Sequence, residues 1–142
     1  VPEFESEEDR AAQAEVAGIM ERVYDCDVVT MGRLSEVDFM LFCETGLLAV
    51  AEMKGRKNAS TRYPTVYMSV RKWDALDRWS RAMCCQPLFV ARFTDGVMVA
   101  RVDDTTRWRV THFTNRKIIR CKSDQEPVFE VPIADMRLLH RF

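Results

Sequence analysis

Apolar residues along the chain recur in two periods, and the switches between them mark out the elements. In residues 6–24, Ala12, Val16, Ile19 and Val23 follow at steps of four, three and four, the stripe of an amphipathic helix. Ser6-Glu7-Glu8-Asp9 opens this segment in the form of a capping box, with Ser6 at the N-cap. The acids of its first turn suit the positive end of the helix dipole. Glu15 borders the apolar stripe one turn before Ile19, near the core without being part of it.

Three strand-like runs follow. Cys26–Thr30 is short, Val37–Cys43 is apolar apart from Asp38, and Leu47–Lys54 is apolar until Glu52. Glu44-Thr45-Gly46 has the composition of a tight turn between the last two. Runs this apolar predict central strands covered on both faces. Residues 55–64 read as a polar loop. Ser69–Cys85 reads as a second helix, with Val70, Trp73, Leu76, Ser80 and Met83 along one side and Pro87 as its stop. Leu88–Phe93 and Val97–Val102 flank the hairpin signal Thr94-Asp95-Gly96. Further strand runs lie at Trp108–Phe113, Lys117–Cys121 and Val128–Pro132, and Ala134–Leu139 reads as one or two helical turns. The order predicts a single α/β domain with a central mixed sheet over residues 10–100, an acidic leader over 1–9 and a β-rich extension over 101–142.

Composition fits this picture: 47% hydrophobic and 30% charged residues are enough for one core. No apolar stretch is long enough to cross a bilayer, so no membrane partner is expected. Val1-Pro2-Glu3-Phe4 has the pattern of neither a secretory signal nor a basic transit peptide. The net charge of -1 conceals an asymmetry, because five of the 22 acids fall in the first nine residues. From Arg10 onward there are 21 bases against 17 acids, and 16 of the bases are Arg, the residue best shaped for phosphate. A nucleic-acid partner is compatible with that body but not required by it. The five cysteines form no Cys-x-x-Cys pair, and with only His112 and His140 beside them no zinc-ligand spacing arises. They read as reduced thiols of a cytoplasmic protein.

The chemistry concentrates in two neighbouring runs. A lone carboxylate inside an apolar strand needs a reason, and Asp38 and Glu52 are two such cases. Side chains alternate along a strand, so Glu52 and Lys54 share a face that Met53 does not. A tight turn between the strands could bring Asp38 opposite Glu52. Two carboxylates on one face repel unless a cation lies between them, and oxygen-only ligands suit a hard ion such as Mg²⁺ or Mn²⁺. With Lys54 beside them to hold a water or a phosphate oxygen, the set suits metal-assisted hydrolysis of a phosphodiester. Glu52-Met53-Lys54 is the chain's one acid-x-lysine triplet. The competing reading is a salt bridge between Glu52 and Lys54 on an edge strand.

On these residues the chain resembles the PD-(D/E)XK nucleases, among them the small single-domain phage, archaeal and resolvase-like members. The resemblance runs over about residues 10–100, through the Glu15 helix, Val37-Asp38-Phe39, Ala51-Glu52-Met53-Lys54-Gly55-Arg56, Ser69 to Leu76 with Lys72, and Pro87 to Gly96. Val37 stands where the proline of the family's name would be. The resemblance implies a restriction-endonuclease-like core in α-β-β-β-α-β order. It also implies metal-binding acids at Asp38 and Glu52 with the Met53 carbonyl, a catalytic lysine at Lys54, and Glu15 reaching the metal site through water. The implied cofactor is Mg²⁺, with Mn²⁺ as a substitute, and the implied products carry 5′-phosphate and 3′-hydroxyl ends.

Substrate grip is expected from Arg56, Lys57 and Arg62 just past this strand, and from Ser69 and Lys72 at the start of the second helix, where phosphates favour the N-terminus. Trp73 and Trp79, at helical spacing, read as core. The leading expectation is a metal-dependent DNA endonuclease for branched or recombining DNA, acting as a symmetric dimer if it makes paired cuts. An exonuclease of the same fold and a catalytically silent DNA-binding module are the alternatives.

Overall fold

The computed structural model describes residues 6–103, 108–114 and 125–142. Helix α1 (Glu7–Tyr24) starts where its cap chemistry dictates: the Asp9 N–H donates to Ser6 Oγ at 3.1 Å, and the Ser6 N–H donates to the Asp9 carboxylate at 3.2 Å. These bonds hold the Asp9 carboxyl below its ordinary pKa. The helix buries Val16, Ala17, Ile19 and Met20, while Val23 of the expected stripe is 46% exposed in the last turn.

The chain continues through β1 (Asp27–Thr30), β2 (Phe39–Cys43), β3 (Gly46–Gly55), β4 (Thr65–Ser69), α2 (Val70–Met83), β5 (Gln86–Phe93), β6 (Gly96–Arg101), β7 (Arg109–Thr114), β8 (Gln125–Pro132) and β9 (Arg137–Arg141). Six strands form the central sheet in the order β1-β2-β3-β5-β6-β9, with β3 and β5 its parallel pair and the other neighbours antiparallel. That parallel pair needs a crossover, which β4 and α2 supply. A second sheet, β4-β8-β7, packs beside α2.

Both faces of the central sheet are covered, which is why its strands read as near-continuous apolar runs. Ala49, Ala51, Leu88, Val90, Val97 and Val99 pack against Val16, Ile19 and Met20 of α1. On the other face Val50, Phe89, Ala91 and Ala100 pack with Leu76 of α2 and with Val66, Met68 and Val131 of the second sheet.

β4 falls between the expected loop over 55–64 and the expected second helix; Thr-Val-Tyr-Met-Ser alternates, with Val66 and Met68 buried, and it runs directly into α2 at Val70. Three expectations are corrected. Helix α2 ends before Pro87, at Cys84, whose φ of 54° is left-handed and whose N–H returns to the Ser80 carbonyl; Pro87 is a buried residue of β5 opposite Val50. Met83 of the expected helix stripe is exposed. The expected helical turns over 134–139 are a 3₁₀ turn at Ile133–Asp135 followed by β9, where pairing with β6 overrides local preference. The expected run at Lys117–Cys121 lies outside the described residues.

At Gly96 the backbone of β9 approaches β6 closely. A Cβ there would run into the His140 carbonyl oxygen of β9, a backbone atom that cannot swing aside. Gly96→Ala is therefore expected to destabilise the fold by about 1–3 kcal/mol in denaturant titration. Gly32→Ala, with no neighbouring atom within 4 Å of the new Cβ, is expected to change stability little.

Candidate active site

Asp38 is fixed by its backbone before its side chain acts. It lies one residue ahead of β2, its N–H donating to the Ala51 carbonyl at 3.0 Å and its carbonyl accepting the Met31 N–H at 2.8 Å. The hairpin register then decides what it faces. Cys43 pairs with Gly46 and Phe42 with Leu47, but Leu41 pairs with Ala49, so Leu48 is an extra residue on β3. That bulge shifts the rest of the ladder by one, setting Phe39 against Ala51 and hence Asp38 against Glu52. Phe39 and Ala51 face α1. By alternation, Asp38, Glu52 and Lys54 face α2.

Asp38 Oδ2 accepts the Met53 N–H at 2.8 Å, which aims its carboxylate along β3. Glu52 is only 8% exposed. Its Oε1 lies 3.5 Å from Lys72 Nζ, and its Oε2 is buried with no hydrogen-bond partner. Burial, and secondarily the Asp38 charge, push the Glu52 carboxyl up to about 8, against the partial opposition of Lys72. Lys54 is exposed on the same face, beyond Glu52.

The structure thus brings Asp38, Glu52 and Lys72 together, sets Lys54 on the same face of β3, and leaves Glu15 apart. Glu15 Oε1 is 2.5 Å from Arg92 Nε. Arg92 stands opposite Gly55, so this pair lies at the same end of the sheet but on the α1 face. Among the described residues no three His, Cys, Asp or Glu side chains gather closely enough to hold an ion. Glu15 thus stands on the α1 face with Arg92, whereas the carboxylate pair faces α2.

Of the expected substrate contacts, Arg56 is half-buried, its Nη2 donating to the Tyr67 carbonyl at 3.4 Å, and burial lowers its pKa. Lys57 and Arg62 are exposed, with Arg62 lying over the Tyr63 ring at 5.4 Å. Their loop is pinned to the β5–β6 turn by Ser60, whose N–H and hydroxyl donate to the Asp95 carboxylate at 2.8 and 2.7 Å. The Ser69 hydroxyl is committed to Glu126 of β8 rather than left open. Sequence reading missed Glu126 and Arg92. No local pattern links residues 57 or 77 positions apart to their partners. Trp73 lies tilted on Phe129 at 5.4 Å and Trp79 packs on the same core, in line with their reading as core.

The profile of the family described as "Phage putative PDDEXK endonuclease" matches residues 1–139. The chain belongs to this family. The mixed sheet flanked by helices agrees with the PDDEXK fold inferred from its sequence. No curated protein matches this PDDEXK chain at a significant level. Among its described residues no helix is long and apolar enough to cross a membrane.

The buried carboxylate has a thermodynamic signature. Glu52 keeps its proton to about pH 8 when folded, whereas the unfolded chain releases it near 4.5. Between those values the folded state binds more protons, so stability falls as pH rises through this window. Glu52→Gln is expected to flatten that decline, measured as melting temperature between pH 5 and 8.5. A decline that is unchanged in the variant would show that another group controls it.

Proposed function

We propose that this PDDEXK protein is a divalent-metal-dependent DNA endonuclease, with Asp38, Glu52 and Lys54 carrying the chemistry. The observation that supports this reading best is the orphaned, buried Glu52 Oε2 beside a second carboxylate. A proton or a cation must offset such a pair. Its oxygen-only character fits Mg²⁺ or Mn²⁺, held by Asp38, Glu52 and the Met53 carbonyl. When bound, the ion supplies charge that neutralises a phosphodiester and favours loss of a proton from water.

The protein's own groups divide the remaining work. The Met53 N–H holds Asp38 in place, so the carboxylate needs little reorganisation when an ion arrives. Lys54, exposed on the shared face, orients the attacking water and offsets negative charge that grows on the phosphate. Lys57 and Arg62, on the pinned loop, meet the DNA backbone. Branched or recombining DNA is the proposed substrate, and a dimer would allow paired cuts.

Incubation with Mg²⁺ or Mn²⁺ and a panel of linear duplex, single-stranded, flap and four-way DNA tests the whole reading. Internal cuts on at least one substrate, abolished by EDTA, are expected. Binding that is the same in EDTA and Mg²⁺, with no product, would instead establish a silent binding module. Lys54→Ala is expected to slow single-turnover cleavage by about 100-fold or more while DNA affinity holds. Glu15→Gln breaks the Arg92 pair without touching the two carboxylates and is expected to leave Mn²⁺ affinity unchanged. A large loss there would return Glu15 to the metal site.

A further inference from the structure

The first turn of α2 carries Lys72, the one cation paired with Glu52 among the described residues. Little in the helix itself holds that turn. Its N-cap, Ser69, makes no side-chain cap hydrogen bond, and its first turn contains no acid. The restraint comes from β8. The Ser69 hydroxyl donates to Glu126 Oε1, Ser69 pairs with Val128 across the β4–β8 ladder, and Trp73 lies on Phe129. A sheet formed largely by the chain's last third therefore grips the helix start that presents Lys72.

We propose that Glu126 is a positioning residue for the metal site. By holding Ser69, it fixes the first turn of α2 and thereby sets Lys72 on Glu52 Oε1. The other oxygen, Oε2, which has no hydrogen-bond partner, would be the one available to an ion. At 3.5 Å the Lys72–Glu52 contact is already long, so loosening the helix start weakens it and lets Glu52 turn. This inference rests on the metal-dependent reading above. It assigns to the extension beyond residue 100 a part in that site, with the Ser69–Glu126 hydrogen bond added to the strand pairing and the Trp73–Phe129 contact.

Mn²⁺ titration followed by electron paramagnetic resonance gives a readout independent of cleavage. Glu126→Ala is expected to weaken Mn²⁺ binding and slow single-turnover cleavage by about 10-fold each, the range found when a group supporting a metal ligand is lost. Melting temperature and metal-free DNA affinity should hold. Glu126→Gln retains an oxygen that accepts the Ser69 hydroxyl and is expected to recover near wild-type values. Ser69→Ala should reproduce the loss, and the double variant should add nothing to it.

Unchanged Mn²⁺ affinity in Glu126→Ala, with binding intact in the wild type, overturns this inference alone. So does a Glu126→Gln variant as weak as Glu126→Ala, or a loss that only tracks a fall in melting temperature. A wild-type chain that binds no Mn²⁺ overturns the metal-dependent reading and this inference with it.

Discussion

A one-residue bulge at Leu48 decides on which face of the sheet the acids meet. Counted from the Glu44-Thr45-Gly46 turn without it, Asp38 would stand opposite Ala51 and share the α1 face. Glu52 would then point the other way alone. With the extra residue, Asp38 faces Glu52 and both look toward α2. The site's electrostatics follow from this register. A carboxyl pushed from 4.5 to about 8 reflects roughly 4–5 kcal/mol against ionisation, a large share of the 5–15 kcal/mol that typically holds a domain together. Such a pair rests comfortably only when protonated or charge-compensated.

Lys72 compensates in part. Its side chain is 39% exposed and its ammonium lies against one oxygen of Glu52, so solvent screens much of its charge and the second oxygen is left over. The lysine has geometric value as well, because it fixes which way the carboxylate turns. That links the polar contact between Lys72 and Glu52 to the placement of a helix, and the placement of the helix to the second sheet. The parallel β3–β5 pair makes the arrangement possible: its crossover carries α2 over the face that holds the acids.

The sequence carried much of this openly. Capping chemistry located α1 to the residue, and the Gly46 and Gly96 turns located both hairpins. Gly46 adopts a φ of 128°, which side-chain-bearing residues rarely tolerate. Asp38 and Glu52 stood out as charges in apolar runs, and alternation placed Lys54 with Glu52. The hidden parts depend on distant partners. The bulge has no local signature, since Leu47 and Leu48 fit a strand equally well. β9 forms because β6 offers a free edge, and Glu126 meets Ser69 only after the chain has returned through β7 and β8.

Glu15 shows where pattern reading stops. Its place beside the buried stripe of α1 agrees with the structure; the face of the sheet it lies on was not deducible from helix periodicity. A helix stripe says which side of the helix meets the core, never which side of a sheet the helix covers. With both faces of this sheet covered, that missing bit of information decides between an acid that meets Glu52 and one that meets Arg92. Arg92 also stacks over Phe142 at 4.9 Å, tying Glu15 to the chain's last residue on the α1 face. Residues from the final third thus engage both helices: Glu126 at the start of α2 on one face, Phe142 through Arg92 to α1 on the other. The extension acts as a brace across the end of the sheet where the two acids lie.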